Sequence, residues 1–232
     1  MSSPSPGAAR APHLLRSCAG MLLVLALDAA LLAVGVGGLP ALLHDLRALA
    51  LLAVWAAGGS CLALTRPVRS RDPVERRADQ HFVVAVLFLV PLVAPMLSAW
   101  CERLGWWPLP GGTALRWAGV ALAAAGFALR ILAMARLGSR FSPLIEVQRG
   151  HALETGGVYA RVRHPGYAGA WLANLGAILA FGSGATLALA LVMALAQEAR
   201  VRREEAALEA AFGDAWRRYR ERTGRYLPRV GR

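Results

Sequence analysis

The chain is 232 residues long, 56% hydrophobic and only 17% charged, where soluble domains of this size carry about a quarter charged residues. Its 26 basic residues are all arginine and its acidic residues number 14, for a formal net charge of +12. That excess flanks long apolar runs, which the positive-inside rule explains without any nucleic-acid partner. An ordinary soluble domain is excluded. Cys18, Cys61 and Cys101 are widely spaced and form neither a disulfide framework nor a metal-ligand pattern, so no metal is expected.

Residues 1–12, rich in Ser, Pro, Ala and Gly, are expected to be disordered. Leu14 to Leu39 is the first predicted span. It is longer than a signal-peptide core and no small-x-small site ends it, so it is expected to remain uncleaved. Pro40 breaks the run, His44, Asp45 and Arg47 mark a polar turn, and a second span ends near Leu64. Arg66 to Gln80 is a charged loop. Phe82 to Trp100 is the third span; Pro91 and Pro95 inside it are tolerable where neighbouring helices re-satisfy the backbone. Trp100, Trp106 and Trp107 fall where an interfacial aromatic belt is expected. After the turn Pro108–Gly112, Leu115 to Leu137 is the fourth span, closing an N-terminal region over 13–138.

Residues 138–166 are too polar to cross. Two 15-residue apolar segments follow, Tyr167–Phe181 and Ala185–Ala199, separated by Gly182–Gly184. Both are at or below the length a spanning helix needs, which predicts a tight helical hairpin whose second arm continues into an Arg/Glu-rich helix. The helix bearing Trp216 and Tyr219 is expected to lie amphipathically on the membrane. The predicted fold is therefore an all-α, polytopic membrane helical bundle of about five to six membrane segments, with a C-terminal helical hairpin and an interfacial amphipathic helix. The N-terminus, the 66–77 loop, residues 136–163 and the tail from Arg200 hold 22 of the 26 arginines. An even number of crossings puts all four pieces, and both termini, in the cytoplasm.

Two stretches could carry chemistry. The first runs from His151 to Tyr167 and ends in His164-Pro165 just before an apolar helix. Proline suits the first helical turn, and a helix N-terminus offers amide donors to a carboxylate or phosphate, with Arg163 and His164 adding side-chain donors. A plain membrane-surface turn with snorkelling arginines fits the same residues. In the second stretch, Gln197 to Glu205, Arg200 and Glu204 share one helix face, as ligands of a polar cofactor and a lipid head or as an ordinary ion pair. Arg130, inside the fourth span, is costly there. It either lines a substrate cavity or snorkels to the surface.

Taken in order, Gly157-Val158-Tyr159, His164-Pro165-Gly166-Tyr167, an apolar hairpin, Arg200 with Glu204-Glu205, Leu208, Phe212-Gly213, Trp216, Tyr219 and Leu227-Pro228 resemble the isoprenylcysteine carboxyl methyltransferase family. The resemblance covers residues 139–228. It implies a membrane-embedded enzyme that binds S-adenosylmethionine through the region 139–232 at the cytoplasmic face, within the lipid bilayer. By the same resemblance the cofactor contacts are His151, Ala152, Leu153, Glu154, Tyr159, Arg163, His164, Pro165, Gly166, Tyr167 and Glu204. A further contact, a glutamine in the family, falls on Glu146 or Gln148. Arg200 and Glu204 become the catalytic candidates, with Arg200 facing the substrate. The methyl acceptor is then a carboxylate or other oxygen of a lipophilic small molecule or prenylated substrate such as an isoprenylcysteine. A phospholipid N-methyltransferase, a sterol-type NADPH reductase and a non-catalytic membrane scaffold are the rival readings. The Arg200/Glu204-Glu205 grouping favours the methyltransferase over the reductase.

Overall fold

A computed structural model describes residues 11–64, 81–138 and 153–229, and, among these, every regular element is a helix. Helix α1 (Ala11–Val36) is followed by a short α2 (Leu39–His44), then α3 (Leu46–Leu64), α4 (His81–Arg103) and α5 (Gly112–Leu137). A 3-10 turn at Gly157–Ala160 leads into α6 (Pro165–Leu179), α7 (Leu187–Phe212) and α8 (Asp214–Arg222). Four helices are long and apolar enough to cross a membrane, within Cys18–Val36, Phe82–Arg103, Gly112–Leu137 and Gly184–Phe212; Leu46–Cys61 is a shorter apolar helix. Pro91 and Pro95 lie inside α4 without ending it.

The tightest contact in the bundle is between α5 and α6, which run antiparallel. A Cβ at Gly126 would come within 2.3 Å of the Ala173 amide nitrogen and 2.6 Å of the Gly169 carbonyl oxygen. One helical repeat away the pattern recurs: a Cβ at Gly119 would meet the Ala180 nitrogen at 2.5 Å, and one at Gly176 the Ala123 nitrogen at 2.3 Å. No real side chain fits at such distances. Glycine is required here because the two backbones touch, the way small residues let membrane helices approach. Closer spacing in turn brings many weak dispersion contacts within range. Gly35 does the same for α1 against α4, where a Cβ would lie 2.5 Å from the Met96 carbonyl.

The links joining α1 to α3, α4 to α5 and α6 to α7 converge at one end of the bundle. Arg47 donates to Asp45 and Glu102 at 2.9 Å each and to the Ala180 carbonyl at 3.2 Å, while Arg116 donates to Glu102 at 2.6 Å. The Arg47 guanidinium also stacks 5.6 Å from the centre of the Phe181 ring. Backbone bonds from Leu109 to Gly182 and from Gly184 to Trp107, both 2.8 Å, pin the α4–α5 loop to the α6–α7 turn. At this end Trp106 and Trp107 are exposed, as an interfacial belt requires. Residues 153–164 and 213–229 gather at the opposite end, so successive long helices alternate in direction.

The second hairpin arm continues into the Arg/Glu-rich stretch as expected, on one unbroken helix, α7, through Phe212. Two expectations need amending. The aromatic face of α8 does not rest on lipid: Trp216 and Tyr219 are buried against the protein, and the Tyr219 hydroxyl donates to the Tyr159 carbonyl at 2.7 Å. Helix α1 begins at Ala11, within the stretch expected to be disordered.

The glycine contact is directly testable. Gly126→Val should force α5 and α6 apart and cost about 3 kcal/mol, the upper end for overpacking. Gly20→Ala, where an added Cβ meets nothing within 4 Å, should cost nothing. Thermal unfolding of both variants in the same detergent measures the difference.

Candidate functional site

The turn from Val162 into α6 is held by the C-terminal segment. Arg163 and His164 donate their amides to the carbonyls of Gly224 (2.8 Å) and Arg225 (3.0 Å), and Gly224 returns a bond to the Arg161 carbonyl at 3.1 Å. This is a short parallel pairing, and it lays residues 223–226 across the start of α6. Pro165 occupies the first turn of that helix and His164 is its cap residue, as the His-Pro dipeptide predicts.

Side chains from α6 and α7 meet just beyond. The Tyr167 hydroxyl donates to Glu204 at 2.8 Å and accepts from the Arg200 Nε at 2.7 Å. A phenol thus bridges the two residues that the sequence places on one helix face. Gln197, one turn before Arg200, donates to the Tyr167 carbonyl at 3.3 Å. The His164 ring lies between two carboxylates, with Nδ1 3.9 Å from Glu204 and Nε2 3.2 Å from Glu205. Arg200 and His164 are buried, while Glu204 remains about a third exposed (30% of its side chain). Arg130 donates to the Gly166 carbonyl at 3.1 Å. Its guanidinium therefore turns into the first turn of α6.

A second layer of charge lies behind His164. Glu205 accepts from Arg163 Nε at 3.1 Å, from Arg225 through both Nε (3.3 Å) and Nη2, and from His164. Arg225 also donates to Glu198 at 2.8 Å, and the Tyr226 hydroxyl reaches the other Glu198 oxygen at 2.8 Å. The bond to Glu205, followed by Glu198 as a second anion, holds the Arg225 guanidinium above its ordinary pKa despite desolvation. Burial pushes the Tyr219 phenol up to about 12, and burial followed by the Glu204 charge raises Tyr159 as well. Both phenols therefore act as neutral donors at any physiological pH; Tyr159 reaches the Ala133 carbonyl at 3.4 Å.

Of the residues named from the sequence, His164, Pro165, Gly166, Tyr167, Arg200, Glu204, Arg130 and Tyr159 come together at this end. Glu154 lies nearby, accepting from the Gly156 amide (2.9 Å) and from Arg136 (3.3 Å), and Leu153 precedes it. Arg163 departs from expectation. Its Nε is committed to Glu205 and its Nη1 to the Arg220 and Thr223 carbonyls, so it ties α7 to the C-terminal segment. Glu146, Gln148, His151 and Ala152 lie outside the described residues. Glu205 was named in the sequence pattern but given no role, and Arg225, Glu198 and Tyr226 were not singled out. The seven-residue spacing of Glu198 and Glu205, which puts both on one helix face, was the available signal.

Residues 119–210 match the model of the isoprenylcysteine carboxyl methyltransferase (ICMT) family. The match lies in the C-terminal half of the chain and covers less than half of its length. The match begins at the first close glycine of α5 and ends on α7, so it takes in the α5–α6 contact, the His-Pro turn and Arg200, Glu204 and Glu205. Among curated proteins, the chain is 36% identical over 105 residues to the protein-S-isoprenylcysteine O-methyltransferase of Schizosaccharomyces pombe, covering 44% of each chain. It is 31% and 30% identical to proteins of the same name from Rattus norvegicus and Homo sapiens, over 57% of this chain and 49% of each relative. The chain thus spans under half the length of the curated relatives it matches. The solved structure of the eukaryotic intramembrane Ras methyltransferase ICMT superposes with a TM-score of 0.51 at 22% identity, covering 87% of this chain and 73% of that one. That likeness carries the fold, an all-helical bundle of an integral membrane protein.

Because Arg163 is a buried tie, Arg163→Ala should destabilise the folded protein by about 3 kcal/mol, the lower end for breaking a buried pair, since Glu205 keeps two other donors. Denaturant unfolding in detergent checks the value. A variant of wild-type stability would mean that the tie contributes little.

Proposed function

We propose that the protein is a membrane methyltransferase that uses S-adenosylmethionine at its cytoplasmic face to methylate a carboxylate, or another oxygen, of a lipophilic substrate such as an isoprenylcysteine. The observation that carries this reading is the Tyr167 hydroxyl joining Arg200 to Glu204, within the segment that matches the methyltransferase family. One partly exposed anion and one buried cation, held one turn apart, suit a reaction that brings an aqueous cofactor to a lipid-dissolved nucleophile.

The residues present fit the cofactor. A zwitterionic amino-acid moiety needs both donors and acceptors, and Glu204, His164 and the first turn of α6 supply them. When bound, S-adenosylmethionine supplies a methyl group already activated on a sulfonium. The protein's task is then alignment more than proton abstraction. Arg200, held by the Tyr167 phenol and buried beside the bilayer, would grip the acceptor oxyanion through its planar fork. A buried guanidinium next to an amine acceptor would instead repel it, which favours oxygen over nitrogen methylation. Pro165 and Gly166 carry the turn, and Arg130, bonded to the Gly166 carbonyl, would line the substrate side. Exclusion of water around these groups strengthens each contact.

Two outcomes follow. Arg200→Ala should leave cofactor affinity within about twofold and remove most turnover, with Arg200→Lys rescuing poorly because an ammonium lacks the bidentate fork. Glu204→Ala should instead weaken cofactor binding by about tenfold or more, a charge-assisted contact of roughly 1.5–3 kcal/mol. Calorimetry and methyl transfer from labelled cofactor into a lipid extract, both in nanodiscs, separate the two. Equal loss of cofactor binding in both variants would reject the division of roles.

For the orientation, single cysteines placed at Arg229 and Trp107 should be labelled by an impermeant thiol reagent only from the cytoplasmic and outer sides respectively. The reverse pattern would overturn the cytoplasmic assignment.

A further inference from the structure

Glu205 adjoins the site without forming part of the Tyr167–Arg200–Glu204 bridge. It is buried, and its carboxylate receives Arg163, Arg225 and His164 together. With two guanidiniums against it this carboxylate is ionised and can only accept, so the His164 nitrogen facing it, Nε2, must carry a proton. Nδ1 faces the opposite side, 3.9 Å from the Glu204 carboxylate and too far to donate to it, and without a proton it is an acceptor. Two acceptors at that separation leave a slot suited to an N–H donor. The backbone of His164 is fixed as well, through its amide bond to the Arg225 carbonyl, while the Arg225 side chain closes on Glu205 from the other side.

We propose that Glu205 is a positioning residue: it sets the tautomer and orientation of His164, so that Nδ1 faces the Glu204 side of the site as an acceptor for a donor group of the bound cofactor. The inference rests on the methyltransferase reading, and it goes beyond it by assigning a role to a residue that touches neither cofactor nor substrate. Outer carboxylates act in this way on ring nitrogens at metal sites, where the hydrogen bond at one nitrogen decides the state of the other. Arg225 serves as the internal control. It shares the same carboxylate, but it fastens the C-terminal segment and leaves the His164–Glu205 bond in place.

The experiment uses the full chain in nanodiscs, with S-adenosylhomocysteine, the demethylated cofactor, as the probe. In the wild type, ring nitrogen-15 shifts of His164 should report a protonated Nε2 and a bare Nδ1 at neutral pH. Glu205→Gln can donate as well as accept, so it should give a mixed or inverted tautomer and about tenfold weaker S-adenosylhomocysteine binding. Glu205→Asp keeps the charge for Arg163 and Arg225 but shortens the reach to the ring. It should stay folded and show the same tautomer change, which covers the case in which the glutamine variant does not fold. Arg225→Ala should lower the unfolding midpoint while leaving the tautomer intact and probe affinity within about twofold. A wild-type nitrogen-15 pattern or undiminished affinity in folded Glu205→Asp would overturn the proposal. So would equal loss of affinity in Arg225→Ala and Glu205→Asp, which would make Glu205 purely structural. Failure of the folded wild type to bind the probe at all would overturn the cofactor reading itself, and with it this inference.

Discussion

The direct backbone contact between α5 and α6 is the constraint on which the rest of this molecule depends. In lipid there is little hydrophobic gain in pressing two apolar helices together, because the acyl chains are as apolar as the side chains they replace. Association must come from close packing, and glycines at 119, 126, 169 and 176 let the helices approach until backbone atoms touch. That approach has a geometric consequence at the polar end. It fixes the height and rotation of the first turn of α6, and therefore of His164, Pro165, Gly166 and Tyr167. Arg130, on the facing side of α5, reaches the Gly166 carbonyl only because the interhelical distance is so short.

The other side of the site is built by α7, and here charge does what close packing does for α5 and α6. Glu198, Arg200, Glu204 and Glu205 all project from one continuous helix that runs past the apolar core. Buried ions of this kind are costly unless each finds partners. The arrangement meets that demand by crossing elements: Tyr167 of α6 serves Arg200 and Glu204, while Arg163 and Arg225 serve Glu205. The same bonds bring the C-terminal segment over the start of α6. Stability of the polar end and shape of the site are thus products of one network, and changes to Glu205 or Arg163 act on both.

At the far end a second ionic group, Asp45, Arg47, Glu102 and Arg116, joins the three links between membrane helices. It contains no group placed for the proposed chemistry. Its effect is to hold the α6–α7 turn against the α4–α5 loop, so that both arms of the hairpin are anchored opposite the site. A hairpin fixed at both ends can present Tyr167 and Arg200 at hydrogen-bonding distance with little conformational freedom left to lose.

How much of this was legible in the chain follows from the range of each interaction. The membrane class, the long helices and the proline turn before α6 are local properties, read from runs of about 20 residues, and they stand. The resemblance in Gly157–Tyr159, His164–Tyr167 and Arg200–Glu205 also came from short patterns, and these lie within the residues that the family model matches. Local pattern went astray at α8, where an amphipathic helix looks the same whether its aromatic face meets lipid or protein; only the Tyr219 bond to Tyr159 decides. It was silent on the glycines of α5 and α6, because a seven-residue spacing in one helix has no meaning until its partner and direction are known. It likewise could not assign Arg163, whose partners lie 42 to 60 residues away. The order of the chain determined which elements form and what chemistry their side chains offer. Which carboxylate meets which cation was decided only in the folded bundle, where distance in sequence no longer limits who can touch.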